Sequence, residues 1–344
     1  MEPIRLDRKA TMDSRGRALR DMRISVTDRC NFRCTYCMPA ERFGPRHPFL
    51  PRASLLGDGE IEAIARVAVR LGVEKIRLTG GEPLLRQGIA GLIERLARIE
   101  GLLDLALTTN GAHLARLAPA LAGAGLGRVT VSLDALDDET FGRMNGVGAK
   151  VAPVLAGIEA AARAGLAPLK VNMVVRRGIN EHAIVPMAAR FRGTGVSLRY
   201  IEYMDVGETN GWHPSQVVPA AEILAMVGRG VHPLEAAAPE RHGEVARRWR
   251  YADGSGEVGI VASVTEPFCG SCTRARLSAE GLLYTCLFAS AGHDLRATLR
   301  REGEEGVARL LEAIWSRRDD RYSELRGTSA LALAPKVEMS RVGG

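Results

Sequence analysis

Six cysteines occur in the chain, and they fall into two groups of three. Cys30, Cys34 and Cys37 lie within eight positions of the stretch "SVTDRCNFRCTYCMP" (25–39), and Cys269, Cys272 and Cys286 follow more than two hundred residues later. Thiols so close together are either disulfide partners or metal ligands, and the redox compartment decides which. The N-terminal stretch "MEPIRLDRKATMDSRGRALR" is charged and has no apolar signal segment, and no apolar run approaches the roughly 18 residues of a membrane span. A cytoplasmic setting is therefore expected, with reduced thiols, metal ligation and no membrane partner.

The first group reads C-x3-C-x2-C and supplies three thiolates from one loop. Structural zinc takes four protein ligands, and no nearby His or Cys completes such a set. An iron–sulfur cubane held by three cysteines keeps one iron open to a ligand from outside the protein. Three buried structural cysteines are the plain alternative, but Asn31, Arg33 and Thr35 make the loop polar. The second group reads C-x2-C-x13-C. A C-x2-C pair is common in zinc ribbons, and His293 could add a fourth ligand, so its spacing alone leaves zinc and iron–sulfur both open. Arg274 and Arg276 follow Cys272 at i and i+2, which puts both on one side of an extended segment.

These groups need a scaffold. At 344 residues, with 46% hydrophobic and 25% charged residues, the chain can bury one large core, or a core plus a smaller unit. Strands are expected at 22–27, 75–80, 104–110, 128–134, 169–175 and 196–202, with helices at about 58–71, 88–99, 113–124, 150–164 and 180–191. This alternation predicts a parallel α/β sheet, barrel-like or open. No G-x-G-x-x-G follows the first strand, which removes the dinucleotide-binding version. After about residue 215 short antiparallel strands and two helices, near 292–301 and 304–318, suggest a second unit. The expected division is an N-terminal extension (1–21), a barrel (22–215) and a C-terminal domain (216–344).

In parallel α/β folds ligands sit at the C-terminal ends of the strands. The cysteine loop, "TGGEP" (79–83), "TTNG" (108–111), Ser132, Asp134 and Met204 all fall there. Arg23, Lys75 and Arg77 can share one strand face, as can Lys170 with Asn172, and Arg199 lies on the sixth strand. Buried cations inside a barrel are costly without an anionic ligand. The net charge of +7 suits an anionic partner, while only 5% aromatics and no stacking-rich basic run argue against nucleic acid. No paired carboxylates or Ser-His-Asp set stands out; Glu82, Asp134 and Glu202 can each be structural.

The loop "CNFRCTYC" followed by "TGGEP" resembles the radical S-adenosylmethionine (SAM) enzymes. Together with "IRLTGGEPLLR", "VSLDALD", "RYIEYMDVG", "FCGSCTRARLS" and the terminal Gly343-Gly344, it is similar to the GTP 3′,8-cyclase family over nearly the whole chain. The resemblance implies a partial (βα)6 TIM-like barrel closed by a C-terminal α+β extension. It implies two 4Fe–4S clusters, one on each cysteine triad, the first binding SAM and the second GTP. SAM would be met by Tyr36, Gly80, Gly81, Glu82, Ser132 and Met204. GTP would be met by Arg23, Lys75, Arg77, Thr108, Lys170, Arg199, Thr273, Arg274 and Arg276. The implied reaction is radical cyclisation of GTP, the first step of molybdenum cofactor biosynthesis. A reductant protein such as a flavodoxin or ferredoxin, the downstream cyclic pyranopterin monophosphate synthase and a homodimer are the implied partners, and the terminal glycines are expected to reach the active site. A radical SAM enzyme modifying RNA or a peptide shares the first triad and is the alternative; a zinc-ribbon nucleic-acid binder is the non-enzyme alternative.

Overall fold

The structure is a computed structural model that describes residues 10–241, 243–327 and 335–343. Six strands follow the predicted order: β1 (Asp21–Ser25), β2 (Lys75–Thr79), β3 (Asp104–Thr109), β4 (Arg128–Ser132), β5 (Lys170–Val175) and β6 (Ser197–Glu202). Each pairs in parallel with the next. Period-two alternation sends Met22, Ile24, Ile76, Leu78, Val129 and Val131 into an almost fully buried apolar layer, while the alternate residues face a central cavity. The covering helices are α1 (Asp58–Arg70), α2 (Ile89–Ala97), α3 (Leu114–Gly123), α4 (Asp138–Asn145), α5 (Val151–Arg163) and α6 (Ile184–Phe191). Their apolar stripes pack on that layer, giving one continuous core.

Two differences from the expected layout matter. Helix α4 was not expected, because its sequence "DETFGRMN" is mostly polar; it forms where the Asp137 carboxylate accepts from Thr140 N at 2.7 Å and caps its start. The C-terminal part is also not a set of antiparallel strands alone. After α7 (Ala220–Gly230) come β7 (Leu234–Ala237), β8 (Arg247–Tyr251), β9 (Glu257–Val261), β10 (Arg274–Leu277), β11 (Leu282–Tyr284) and β12 (His293–Asp294). β9 joins β6 in parallel and β10 joins β1 in parallel, so eight parallel strands line the cavity within a twelve-stranded sheet ordered β12-β11-β10-β1-β2-β3-β4-β5-β6-β9-β8-β7. Residues 262–273 span the gap between β9 and β10 and carry Cys269 and Cys272.

The far end of the chain packs back on the barrel. The two helices expected there follow one another in α8 (Leu295–Ser316), divided at the non-helical Gly303 (φ 66°, ψ −163°). It starts later than expected because Asp294 caps it through Ala297 N at 2.8 Å. Two short helices follow, α9 (Tyr322–Leu325) and α10 (Met339–Val342). Buried Glu202 at the end of β6 accepts from Ala220 N, Val264 N and Thr265 N at 2.8–2.9 Å, tying both C-terminal segments to the barrel. That bonding makes Glu202 structural.

Candidate active site

All six cysteines line one cavity of about 1030 Å³ inside the sheet. The first three lie on the loop after β1, and their placement depends on glycine in "TGGEP". Gly80 has φ +154°, and a Cβ there would sit 2.6 Å from Thr27 O; a Cβ on Gly81 would sit 2.5 Å from the Arg29 carbonyl carbon. Without side chains the two backbones hydrogen-bond, Gly81 N to Thr27 O at 2.7 Å and Glu82 N to Arg29 O at 2.8 Å. Cys30 follows directly.

Glu82 then links this turn to the next one. Its carboxylate accepts from Leu84 N (3.0 Å), the Thr109 hydroxyl (2.7 Å) and Asn110 N (2.8 Å), and burial raises its pKa to about 7 against these donors. Asn110 donates in turn to Asn31 Oδ1 (2.8 Å) and, at 3.9 Å, to Cys30 Sγ. Tyr36 OH donates to Asp134 at 2.9 Å, and Asp134 also accepts from Val174 N at 2.9 Å, so the cysteine loop is bolted to the ends of β4 and β5. Burial raises the Asp134 carboxyl to about 7. Ser132 and Met204 line the cavity on the same side.

Burial also sets the chemistry of the first triad. It pushes the Cys30 thiol up to about 11, and it raises Cys34 and Cys37 further, with the neighbouring thiolates adding repulsion. Three thiolates in this place need a cationic centre to compensate them, which a cluster iron supplies. Among the described residues, no three His, Cys, Asp or Glu side chains close on a point suited to a single ion.

The inner strand faces are cationic, as the alternation predicts. Arg23, Lys75, Arg77, Lys170 and Arg199 line the cavity together with Thr108. Arg77 Nη1 donates to Thr108 and Thr130 at 2.9 Å each, and burial, followed by repulsion from Arg23 and Arg128, lowers it to about 9. The Lys170 side chain has no hydrogen bond or ion pair among the described residues, and burial with the nearby arginines lowers it to about 7. Arg23 Nε, Asn172 Oδ1 and Arg199 Nε are buried without partners. Lys75 and Arg199 differ: Arg199 Nη2 lies 4.0 Å from Glu244, and Lys75 is paired with Asp21, whose carboxyl is held at about 2 because Lys75 and Arg23 outweigh the opposing effect of burial. A cavity with unpartnered donors and uncompensated cations is suited to a polyanion.

The second triad sits beside this face. Parallel pairing aligns Arg274 with Asp21 and Arg276 with Arg23, so the C-terminal arginines continue the cationic inner layer, and Thr273 adjoins them. Arg274 Nη2 lies 3.2 Å from Cys272 Sγ. Burial raises the Cys272 thiol, but Arg274 and Arg318 outweigh it and bring it to about 6, whereas burial pushes Cys286 to about 11. His293 is exposed on edge strand β12 and does not line the cavity. The fourth zinc ligand considered from spacing is therefore not delivered to this triad. The tail also enters the site: Arg276 Nη1 donates to Gly343 O, and a Cβ added at Gly343 (φ +74°) would overlap the Thr79 hydroxyl. Gly344 lies outside the described residues.

Sequence reasoning missed several residues. Arg128 is buried on the inner face with Thr130 and Ser132, and the alternation in "RVTVS" could have revealed it. Asn172 was noted on the same face as Lys170 but not proposed as a contact. Asn110 near Cys30 lies in "TTNG", which was placed at a strand end without a role for this residue; Arg318 near Cys272 carried no signal, since it reaches the site only through tertiary packing.

The comparisons with known proteins agree with this geometry. Residues 24–191 match the family model described as Radical SAM superfamily, and residues 196–324 match Molybdenum Cofactor Synthesis C. SuiB of Streptococcus suis, solved bound to S-adenosylmethionine, superposes with a TM-score of 0.63 at 13% identity, covering 90% of this chain and 69% of that one; this is a likeness of fold. The chain is thus a radical SAM enzyme with a TIM-like barrel, the class that uses SAM and a 4Fe–4S cluster. It is 52% identical to the GTP 3′,8-cyclase of Acidothermus cellulolyticus over 96% of this chain and 98% of that protein. Its identity to the GTP 3′,8-cyclase of Xanthomonas campestris pv. campestris is 53% (96% and 97% covered), and to that of Staphylococcus carnosus 44% (98% and 99%). The chain belongs to the GTP 3′,8-cyclase family.

Proposed function

We propose that the protein converts GTP to (8S)-3′,8-cyclo-7,8-dihydroguanosine 5′-triphosphate, at the start of molybdenum cofactor biosynthesis. The observation that carries this reading is the cavity shared by both triads: its roughly 1030 Å³ stands at the top of the usual range for a ligand site, and a band of cations joins the triads, of which Arg23, Arg77 and Lys170 have no carboxylate partner among the described residues. Family relatives with this activity match over almost the whole chain, which leaves modification of RNA or a peptide without comparable support.

The residues divide the work as follows. Cys30, Cys34 and Cys37 would hold the first cluster, at which SAM would bind. When bound, the pair would supply one-electron reductive cleavage of SAM, with electrons from a reductant protein such as a flavodoxin or ferredoxin. Gly80 and Gly81 present backbone to the amino group of SAM, with the charge of Glu82 behind them. Tyr36, fixed through Asp134, flanks the adenine, and Ser132 and Met204 complete the pocket.

A nucleoside triphosphate carries close to four negative charges near neutral pH. Arg23, Lys75, Arg77, Lys170 and Arg199 neutralise it, with Thr108 and Thr273 donating, while Arg274 and Arg276 hold the nucleoside. Cys269, Cys272 and Cys286 would hold a second 4Fe–4S cluster, which would bind the guanine base. In this division the barrel (22–215) binds SAM and triphosphate, and the C-terminal unit (216–344) holds the base. The protein's contribution is to place C3′ of the ribose for hydrogen abstraction and for bonding to C8, since an ångström of displacement costs about 100-fold in rate. GTP deuterated at C3′ tests this directly: the deuterium is expected in 5′-deoxyadenosine. Its retention in the nucleotide product overturns the assignment.

A further inference from the structure

The N-terminal segment before β1 looks like a mere extension in sequence, yet it is built into the second cysteine triad. Met12 and Ala18 form an antiparallel bridge that closes a small hairpin. Inside it Asp13 and Arg17 are 6% and 2% exposed, and Asp13 Oδ2 is shared by Arg17 Nε (2.6 Å) and Arg318 Nη1 (3.1 Å). Arg318 is itself only 4% exposed and lies just past the end of α8. Two guanidinium groups and one carboxylate are thus buried together, which is stable only where the remaining donors are engaged.

Most of those donors go to the triad, and Arg17 Nη2 is left buried without a partner. Arg17 Nη1 donates to Cys269 O at 2.9 Å and to Asp320 O at 2.7 Å. Arg318 Nη1 donates to Cys272 O at 2.8 Å, Arg318 Nη2 reaches Cys272 Sγ at 3.3 Å, and Arg318 Nε donates to Thr285 O, next to Cys286, at 3.1 Å. All three cysteines are therefore held at or beside their backbone by one buried ion cluster. The cluster is fixed by further links: Trp315 Nε1 donates to Arg17 O (3.0 Å), Ser14 Oγ donates to Arg318 O (2.6 Å), and the Arg318 guanidinium lies 4.5 Å from the centre of the Trp315 ring.

We infer that Asp13, Arg17 and Arg318 are positioning residues for the second cysteine triad, and that Arg318 also tunes the centre bound there through its hydrogen bond to Cys272 Sγ. The inference rests on the second cluster proposed above. A donor and a positive charge at a ligand sulfur favour the reduced state of an iron–sulfur centre and so raise its potential. Arg274 acts on the same sulfur from the cavity side, where it also faces substrate. Arg318 reaches the sulfur from just past the end of α8 and also borders the cavity, at 4% exposure, so its tuning is read with no substrate present.

Arg318→Met is the informative change. It removes one cation and leaves buried Asp13 paired one-to-one with Arg17, while Asp320, which Arg318 Nε also meets at 3.1 Å, is part-exposed and can be solvated; Arg318→Lys restores the charge without the planar fork. Both are made in full-length protein with Cys30, Cys34 and Cys37 changed to Ala, so that only the second cluster is read by spectroscopic redox titration. The Met variant is expected to shift the midpoint to lower potential, with Lys between Met and the parent. A cluster present in all three proteins at one potential overturns the role of Arg318. Absence of any cluster from the parent protein refutes the second cluster, and this role with it.

Discussion

Replacing Gly81 by Ala tests how the first cysteine loop is held. A Cβ there would lie 2.5 Å from the Arg29 carbonyl carbon and 2.8 Å from Asp28 O, and both are backbone atoms that cannot swing aside. The two strand-end segments must separate, which breaks Gly81 N to Thr27 O and Glu82 N to Arg29 O. Each lost bond costs about 1 kcal/mol and the overlap itself costs about 1–3 kcal/mol, so the expected loss is about 3–5 kcal/mol. At about 2 °C per kcal/mol for a chain of this size, Tm falls by about 6–10 °C. Gly91 in α2 is the control: a Cβ there meets nothing within 4 Å, and Gly91→Ala is expected to stabilise by about 0.5–1 kcal/mol. Differential scanning calorimetry of the ligand-free proteins reads both signs. Because Cys30 follows the displaced backbone, iron loading of the first triad should also fall when measured with the second triad replaced by Ser. An unchanged Tm and full loading for Gly81→Ala would refute the close approach.

Three further outcomes follow from the geometry. Gly343→Ala adds about 1–2 kcal/mol of left-handed backbone strain and overlaps Thr79, so turnover should drop about tenfold with little change in Tm; equal turnover removes the tail from the site. Lys170 has a folded pKa of about 7 against 10.5 when free, so the fold disfavours its charged form; that penalty is full below about pH 7 and fades as pH rises towards 10.5. Lys170→Met should therefore raise Tm at pH 7, and the gain should shrink by pH 10, whereas parallel curves would contradict the shift. Tyr36→Phe leaves an oxygen of buried Asp134 without its donor and should cost about 1–3 kcal/mol in thermal unfolding; no loss would mean that the bond does not brace the loop.

The first six strands were legible because alternation in segments such as "KIRLT" and "KVNMVV" separates an apolar face from a polar one, and the polar face turned out to line the cavity. The cysteine triads and the arginines after Cys272 were legible from spacing. Parallel pairing of β9 with β6 and of β10 with β1 was not, because neither strand carries a local signal for a partner so distant in sequence. Glu82 shows a different limit: its place at a strand end was readable, but its three donors come from two turns brought together only by folding. Asp13, Arg17 and Arg318 read as ordinary surface charges until the two ends of the chain meet around the second triad.

The central claim is that one cavity couples SAM cleavage to GTP. Its most direct test is the formation of 5′-deoxyadenosine by anaerobically reconstituted, reduced protein given SAM with GTP, ATP, GDP or no nucleotide. Strong stimulation by GTP alone is predicted. Formation at one slow rate whatever the nucleotide would contradict the assignment of the cationic cavity to GTP, and no 5′-deoxyadenosine from iron-loaded protein would contradict the radical chemistry itself.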